Sequence, residues 1–94
     1  MIDNMNIFIK GKLKRFPKKA IPSLENPYVR ETFNIGSVQL IVYDDDPYYS
    51  VYFIFNKKVI AIEYGIVDIH QYIRDIHKFS DKDIKRIIIF QVVE

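Results

Sequence analysis

The 94-residue chain has no cysteine, no tryptophan and only three glycines. Without cysteine there is no disulfide framework, no thiolate nucleophile and no cysteine-based zinc site. A disulfide-free chain of this size fits a reducing compartment, so a cytoplasmic location is expected, the host cytoplasm if the chain is viral. The apolar run Ile87 to Phe90 supplies four residues, whereas a membrane span needs about 20, so no membrane partner is expected. The opening stretch MIDNMNIFIKGK alternates and soon turns basic, unlike the apolar core of a secretory signal. Repeats and low-complexity segments are also missing.

A hydrophobic content of 49%, with 15% aromatics, is too rich for a disordered chain. Seventeen isoleucines, with seven Phe and seven Tyr, favour a strand-dominated core. The length suits one domain, residues 1–94. A chain of this size buries only about 60–65% of its unfolded surface, so a covering layer or a partner would add to a thin stability margin. The preference for Ile, Lys, Asn, Tyr, Phe and Asp follows an AT-rich coding sequence. Net charge is +2, but residues 1–43 hold seven Lys/Arg against three Asp/Glu, and residues 44–94 seven against nine.

The strongest pattern runs from Tyr48 to Tyr64, where YYSVYFIF and KVIAIEY flank Asn56-Lys57. Asn tolerates the positive φ of a two-residue hairpin turn. Such a turn sets Phe55 against Lys58, Phe53 against Ile60, Val51 against Ile62 and Tyr49 against Tyr64 on one face. The other face carries Ile54 with Val59, Tyr52 with Ala61 and Ser50 with Glu63. Both faces are apolar, although a small sheet ordinarily leaves one face wet.

Elsewhere, residues 5–16 alternate as a strand, with Ile7, Ile9 and Leu13 on one face. Pro17, Pro22 and Pro27 make the next stretch an irregular connection, apolar enough to pack over a sheet edge. Residues 28–34 read either as a short helix after Asn26-Pro27 or, preferred, as a strand joined through Ile35-Gly36 to SVQLIVY. The DDDP segment then turns the chain into the hairpin. Asp68, followed three residues later by Gln71, predicts a capped helix near residues 68–79 with Ile69, Tyr72, Ile73 and Ile76 as its apolar stripe. Val67 and Tyr72 occupy hydrophobic-staple positions. Ser80 with Asp83 suits one further short turn. IIIFQVV, residues 87–93, reads as a buried strand, reached by a crossover and parallel to 58–64.

The expected fold is therefore α+β. It has a mostly antiparallel sheet of five or six strands, open or curled into a partly closed barrel, with one main helix. One helix shields about two strands, so one sheet face needs other cover: barrel closure, the proline connection or a second protein.

No catalytic pattern emerges. Ser37, Ser50 and Ser80 lack a G-x-S-x-G context. His70 and His77, about 10 Å apart along a helix, cannot share a metal. Glu63 and Asp68 have no third partner. Adjacent Asp44, Asp45 and Asp46 point to alternate sides, which suits a turn or a recognition patch for a basic partner better than a metal site. No cofactor and no metal are expected. Tyr43, Tyr48 and Tyr52, with Ile54 and Val59, form a candidate surface for another protein, a second copy included. Tyrosine favours interface centres, though it also favours strands. The expected function is a non-enzymatic binding protein of the inhibitor, immunity or assembly-factor kind, such as mobile elements carry. The alternative is nucleic-acid binding through Lys10, Lys12, Lys14, Arg15, Lys18 and Lys19, with Phe8 or Phe16 stacking a base. Alternating lysines are equally a device that protects sheet edges.

Overall fold

A computed structural model describes residues 9–15 and 18–91. Its sheet comprises β1 (Lys12–Lys14), β2 (Val29–Ile35), β3 (Val38–Asp45), β4 (Tyr48–Phe55) and β5 (Lys58–Ile66), followed by helices α1 (Ile69–Ile76) and α2 (Asp81–Gln91). The spatial order is β1-β5-β4-β3-β2, antiparallel throughout. The α+β expectation holds, with residues 28–34 resolved in favour of a strand. The sheet stays open, with β1 and β2 at opposite edges, and the described residues form neither a barrel nor a sixth strand. Of the strand expected over residues 5–16, the described part is extended only at Lys12–Lys14; residues 5–8 and Phe16 lie outside the described set.

The largest correction is at the C-terminal end of the chain. Residues 81–91 are a helix, not a strand running parallel to β5. The Ser80 hydroxyl accepts the Asp83 amide at 3.1 Å, and Asp81 and Asp83 place acid in the first turn, both favouring a helix N-terminus. Ile84, Ile87 and Ile88 are buried while Ile89 and Phe90 are exposed. That is helical i, i+3, i+4 spacing, embedded in a run that looks continuously apolar when read linearly. Packing overrides the modest helix propensity of isoleucine. Among the described residues two helices, rather than one, cover the sheet face that carries Leu40, Val42, Val51 and Phe53.

α1 forms as expected at its start, with the Asp68 carboxylate accepting the Gln71 amide at 3.1 Å. The staple does not form: Val67 is exposed and Tyr72 fully buried. The Gln71 side chain donates forward to Asp75 at 2.8 Å instead of reaching back to the cap.

The hairpin turn is as read, with Asn56 and Lys57 at φ 52° and 62°. The pairing holds for Phe55 with Lys58 and Ile54 with Val59, then slips by one residue. Phe53 pairs with Ala61, Tyr52 with Ile62 and Val51 with Glu63. A bulge inserts one unpaired residue, and because side chains alternate with period two, Ala61 to Tyr64 change face; a second shift, between Val51–Glu63 and Tyr49–Ile66, returns Ile66 to the helix-covered side. Glu63 thereby joins the helix-covered core, while Ile62 and Tyr64 join Tyr52 on the opposite side. In β2–β3 the turn is Gly36-Ser37, with Gly36 at φ 55°. The pairing runs from Ile35 with Val38 to Glu31 with Val42, then shifts at a bulge to Val29 with Tyr43, which places Val29 on the second face.

Candidate functional site

The sheet face away from the helices carries a second, smaller cluster. Ile41, Tyr52, Ile54, Val59 and Ile62 are buried there, with Val29, Tyr43 and Tyr64 packed on them. β1 and β2 lie at opposite edges of a sheet about 19 Å wide. Lys19 lines the same depression as Tyr43, Asp45, Ser50, Tyr52, Ile62 and Tyr64. Val29, Tyr43 and Tyr64 pack on the cluster, whereas Ala20, Ile21 and Leu24 of the proline connection, expected to pack over the sheet, are exposed.

Three tyrosine rings form a diagonal series on this face. The Tyr28 and Tyr43 centroids are 5.9 Å apart, and those of Tyr43 and Tyr52 are 5.8 Å apart. These are favourable aromatic separations. The series ends at the β3–β4 turn, where Tyr28, Tyr43, Asp44, Asp45 and Asp46 line a cleft of about 340 Å³. Tyr48, paired with Asp45 across this turn, is 48% exposed. Asp45 accepts the Ser50 hydroxyl at 3.1 Å. Asp44 lies 3.6 Å from the Arg30 guanidinium, which also stacks over the Tyr49 ring at 5.5 Å. Burial first, then the neighbouring Tyr43 and Asp45, raise the Tyr52 hydroxyl above its ordinary pKa, so Tyr52 is a neutral wall at physiological pH.

The candidate residues separate accordingly. Tyr43, Tyr48 and the three aspartates converge at the β3–β4 turn. Tyr52, Ile54 and Val59 lie within the packing of the second cluster, with Tyr52 forming the inner wall of the depression. Tyr28 belongs to the site and was not singled out from sequence. Its signal was weak: one aromatic following a proline, in a segment of ambiguous structure.

The basic segment does not form one track. Lys10 lies 3.4 Å from Asp75 on the helical side. Lys12 and Lys14 sit on the opposite face of β1 from Leu13, with the Lys14 ammonium 6.0 Å from the Tyr64 ring centroid. Arg15 faces a groove beside α2, Lys19 lies in the tyrosine depression and Lys18 is exposed. Phe8 and Phe16 lie outside the described residues.

Among the described residues, the one buried carboxylate with a raised pKa serves the fold. Glu63 accepts the Lys10 and Gly11 amides at 2.6 and 2.7 Å through Oε2, and the Tyr72 hydroxyl at 2.8 Å through Oε1. Burial pushes its pKa up, against the opposing pull of Gly11, Tyr72 and Lys10. The clasp ties β1, β5 and α1 together and leaves no oxygen directed at a cavity. Gly11 is required there because a Cβ would run into the Tyr64 carbonyl. His70 is exposed, and His77 stacks on Phe33 at 4.8 Å. Among the described residues no three His, Asp or Glu side chains converge to hold a metal ion, and no helix is long and apolar enough to cross a membrane.

The chain matches no protein-family model, no curated protein and no solved structure.

Proposed function

We propose that this is a small non-enzymatic binding protein that recognises another protein at the β3–β4 turn. The observation that carries this reading is the Tyr28–Tyr43–Tyr52 ring series opening onto exposed Tyr48 and three consecutive aspartates. Tyrosines offer large, stiff contact area, and the acidic rim selects a basic partner and speeds encounter with it. A contact of this kind acts by occlusion or assembly, as an inhibitor, immunity-type protein or assembly factor does, and needs no reacting group. The absence of cysteine fits action in the cytoplasm. The partner surface is narrower than the whole aromatic hairpin, because Ile54 and Val59 are engaged in the chain's own packing.

The test is affinity capture from the native host with wild type and the Tyr48→Ala/Asp46→Lys variant, followed by titration of the purified partner. Both positions are exposed, so the variant is expected to melt like wild type and to bind at least tenfold more weakly. Equal binding by the two proteins would refute the reading. Steeply salt-dependent binding to single-stranded DNA or RNA, lost on Lys14→Glu/Lys19→Glu, would replace it with the nucleic-acid alternative.

A further inference from the structure

The two edges of the sheet differ in how far they are protected. β1 offers three residues, two of them lysines, the residue type that keeps sheet edges from pairing. β2 runs for seven residues with no lysine and no proline. We propose that β2 is a self-pairing edge along which two copies of the chain join antiparallel, with Phe33 on the twofold axis, so that their five-stranded sheets become one.

The backbone register sets up this pairing. Ile35 pairs with Val38 across the two-residue Gly36-Ser37 turn, so its amide and carbonyl bond to β3. Bonded residues alternate along an antiparallel pair, which directs Phe33 and Glu31 inward as well, and Thr32 and Asn34 outward. Both outward residues are exposed. Among the described residues no hydrogen bond reaches their outward amides and carbonyls. A row of such groups is a template for one more strand.

The side chains select a second copy as that strand. A twofold axis normal to the sheet keeps each residue on its own face, so it must pass through one residue of β2. Through Glu31 it sets two carboxylates opposite each other, and through Thr32 it leaves them diagonal neighbours. Through Asn34 it runs Thr32 against Gly36 in the turn. Through Phe33 it sets Thr32 against Asn34 of the other copy, the bonded pair that the outward groups require, and Glu31 against Ile35. The two Phe33 side chains then meet in a close non-bonded pair, a favourable place for aromatic rings. Phe33 and Ile35 are half-buried at the rim of the helix-covered core, and the second strand completes their cover. The bulge between Val29 and Glu31 ends the pairing on one side and the turn ends it on the other. Since β1 offers no equivalent edge, assembly closes at two.

The experiment is sedimentation of the full chain across a concentration series, with amide hydrogen exchange measured at both ends of the series. The contact is smaller than the ~800 Å² per partner of a standard interface, so a dissociation constant of roughly 10–100 µM is expected. The Thr32 and Asn34 amides should slow about tenfold at the top of the series, with those of the Asn56-Lys57 turn unchanged. Thr32→Pro removes one outward donor and leaves the β2–β3 bonds in place, so it should melt like wild type and stay monomeric. Should that variant fail to fold, the wild-type exchange pattern decides. Tyr48→Ala/Asp46→Lys should dimerise like wild type, which separates this edge from the protein-binding end. The proposal is overturned by a chain that stays monomeric at about 500 µM. Dimerisation without slowing at Thr32 and Asn34, dimerisation undiminished in folded Thr32→Pro, or growth beyond two copies would overturn it as well.

Discussion

The two faces of the sheet are closed by different means. On one, α1 and α2 seal a core that includes Leu40, Phe53, Tyr72, Ile76, Ile84 and Ile87, none of them measurably exposed. On the other, a few residues from four strands are covered by their own neighbours, with Lys19 of the irregular connection lining the adjoining depression. Helices deliver pre-formed rows of side chains and keep their backbone polar groups internally bonded. Among the described residues no helix covers the second cluster, and Lys19, Asp45, Ser50 and three tyrosines line its depression. The second face carries the tyrosine depression and the acidic cleft, and the proposed protein-binding end lies on it. The difference also explains why one carboxylate could be buried on the helical side: Glu63 has three fixed donors there.

The comparison can be broken most forcefully in the helix-covered core. Phe53→Ala should destabilise the protein by about 3–5 kcal/mol, because the facing helices cannot collapse into the cavity. Ile54→Ala, its neighbour on the other face, should fall near the ~2 kcal/mol lower end for such truncations, since the looser cover can relax. Chemical denaturation of the pair measures the contrast, and equal costs would mean that the two faces are equally rigid.

Next in size is the Glu63 clasp. Glu63→Ala strands two backbone amides and the Tyr72 hydroxyl, at a cost of roughly 3 kcal/mol. Glu63→Gln keeps the shape and should cost less. The raised Glu63 pKa also has a sign. The folded state favours the protonated acid, so this group's contribution is greatest below its ordinary value of 4.5 and declines as pH rises through the raised folded value. Unfolding free energies measured across that window should show the decline in wild type and not in Glu63→Gln.

Asp81 acts in the opposite direction. Hydrogen bonds from the Ser37 hydroxyl and amide hold its carboxyl down to about 2. Its contribution is present above the ordinary value of 3.8 and is lost as pH falls toward about 2. Asp81→Asn should remove this acid-side loss, visible as a flatter stability profile between about pH 4 and 2. Asp75 has the same sign: burial raises its pKa, but Gln71, Lys10 and Lys78 outweigh that and leave it below the ordinary range. The smallest stability effect is expected at Tyr48, where replacement by alanine should change the unfolding free energy by less than about 0.5 kcal/mol. A substantial loss would show that this tyrosine supports the fold.

Much of the fold was legible because it rests on local chemistry. Asn56-Lys57 specified a hairpin through backbone conformation, the three aspartates and Pro47 marked the next turn, and Asp68 announced α1 through its cap. The proposed site was legible in part: Tyr43, Tyr48 and Asp44–Asp46 lie in adjoining sequence across a tight turn and so had to be neighbours. Tyr28 comes from a different strand edge, and only the β2–β3 pairing brings its ring to Tyr43. The groove beside α2 was invisible for a stronger reason, since its α2 wall was read as a strand.

By itself, then, the sequence determined the hairpins, the first helix, the strand-rich α+β class and the lack of cysteine chemistry, because caps, turns and period-two alternation act over a few residues. Tertiary structure decided the rest. An isoleucine run satisfies a buried strand or a helix until a sheet face is present to select every third and fourth residue. A strand's alternation does not reveal a bulge, yet one unpaired residue in β5 moved Glu63 into the helix-covered core and Tyr64 onto the tyrosine face. The aromatic hairpin was apolar on both sides for the same physical reason: each face packs into its own cluster, one under helices and one against Val29, Tyr43 and Tyr64.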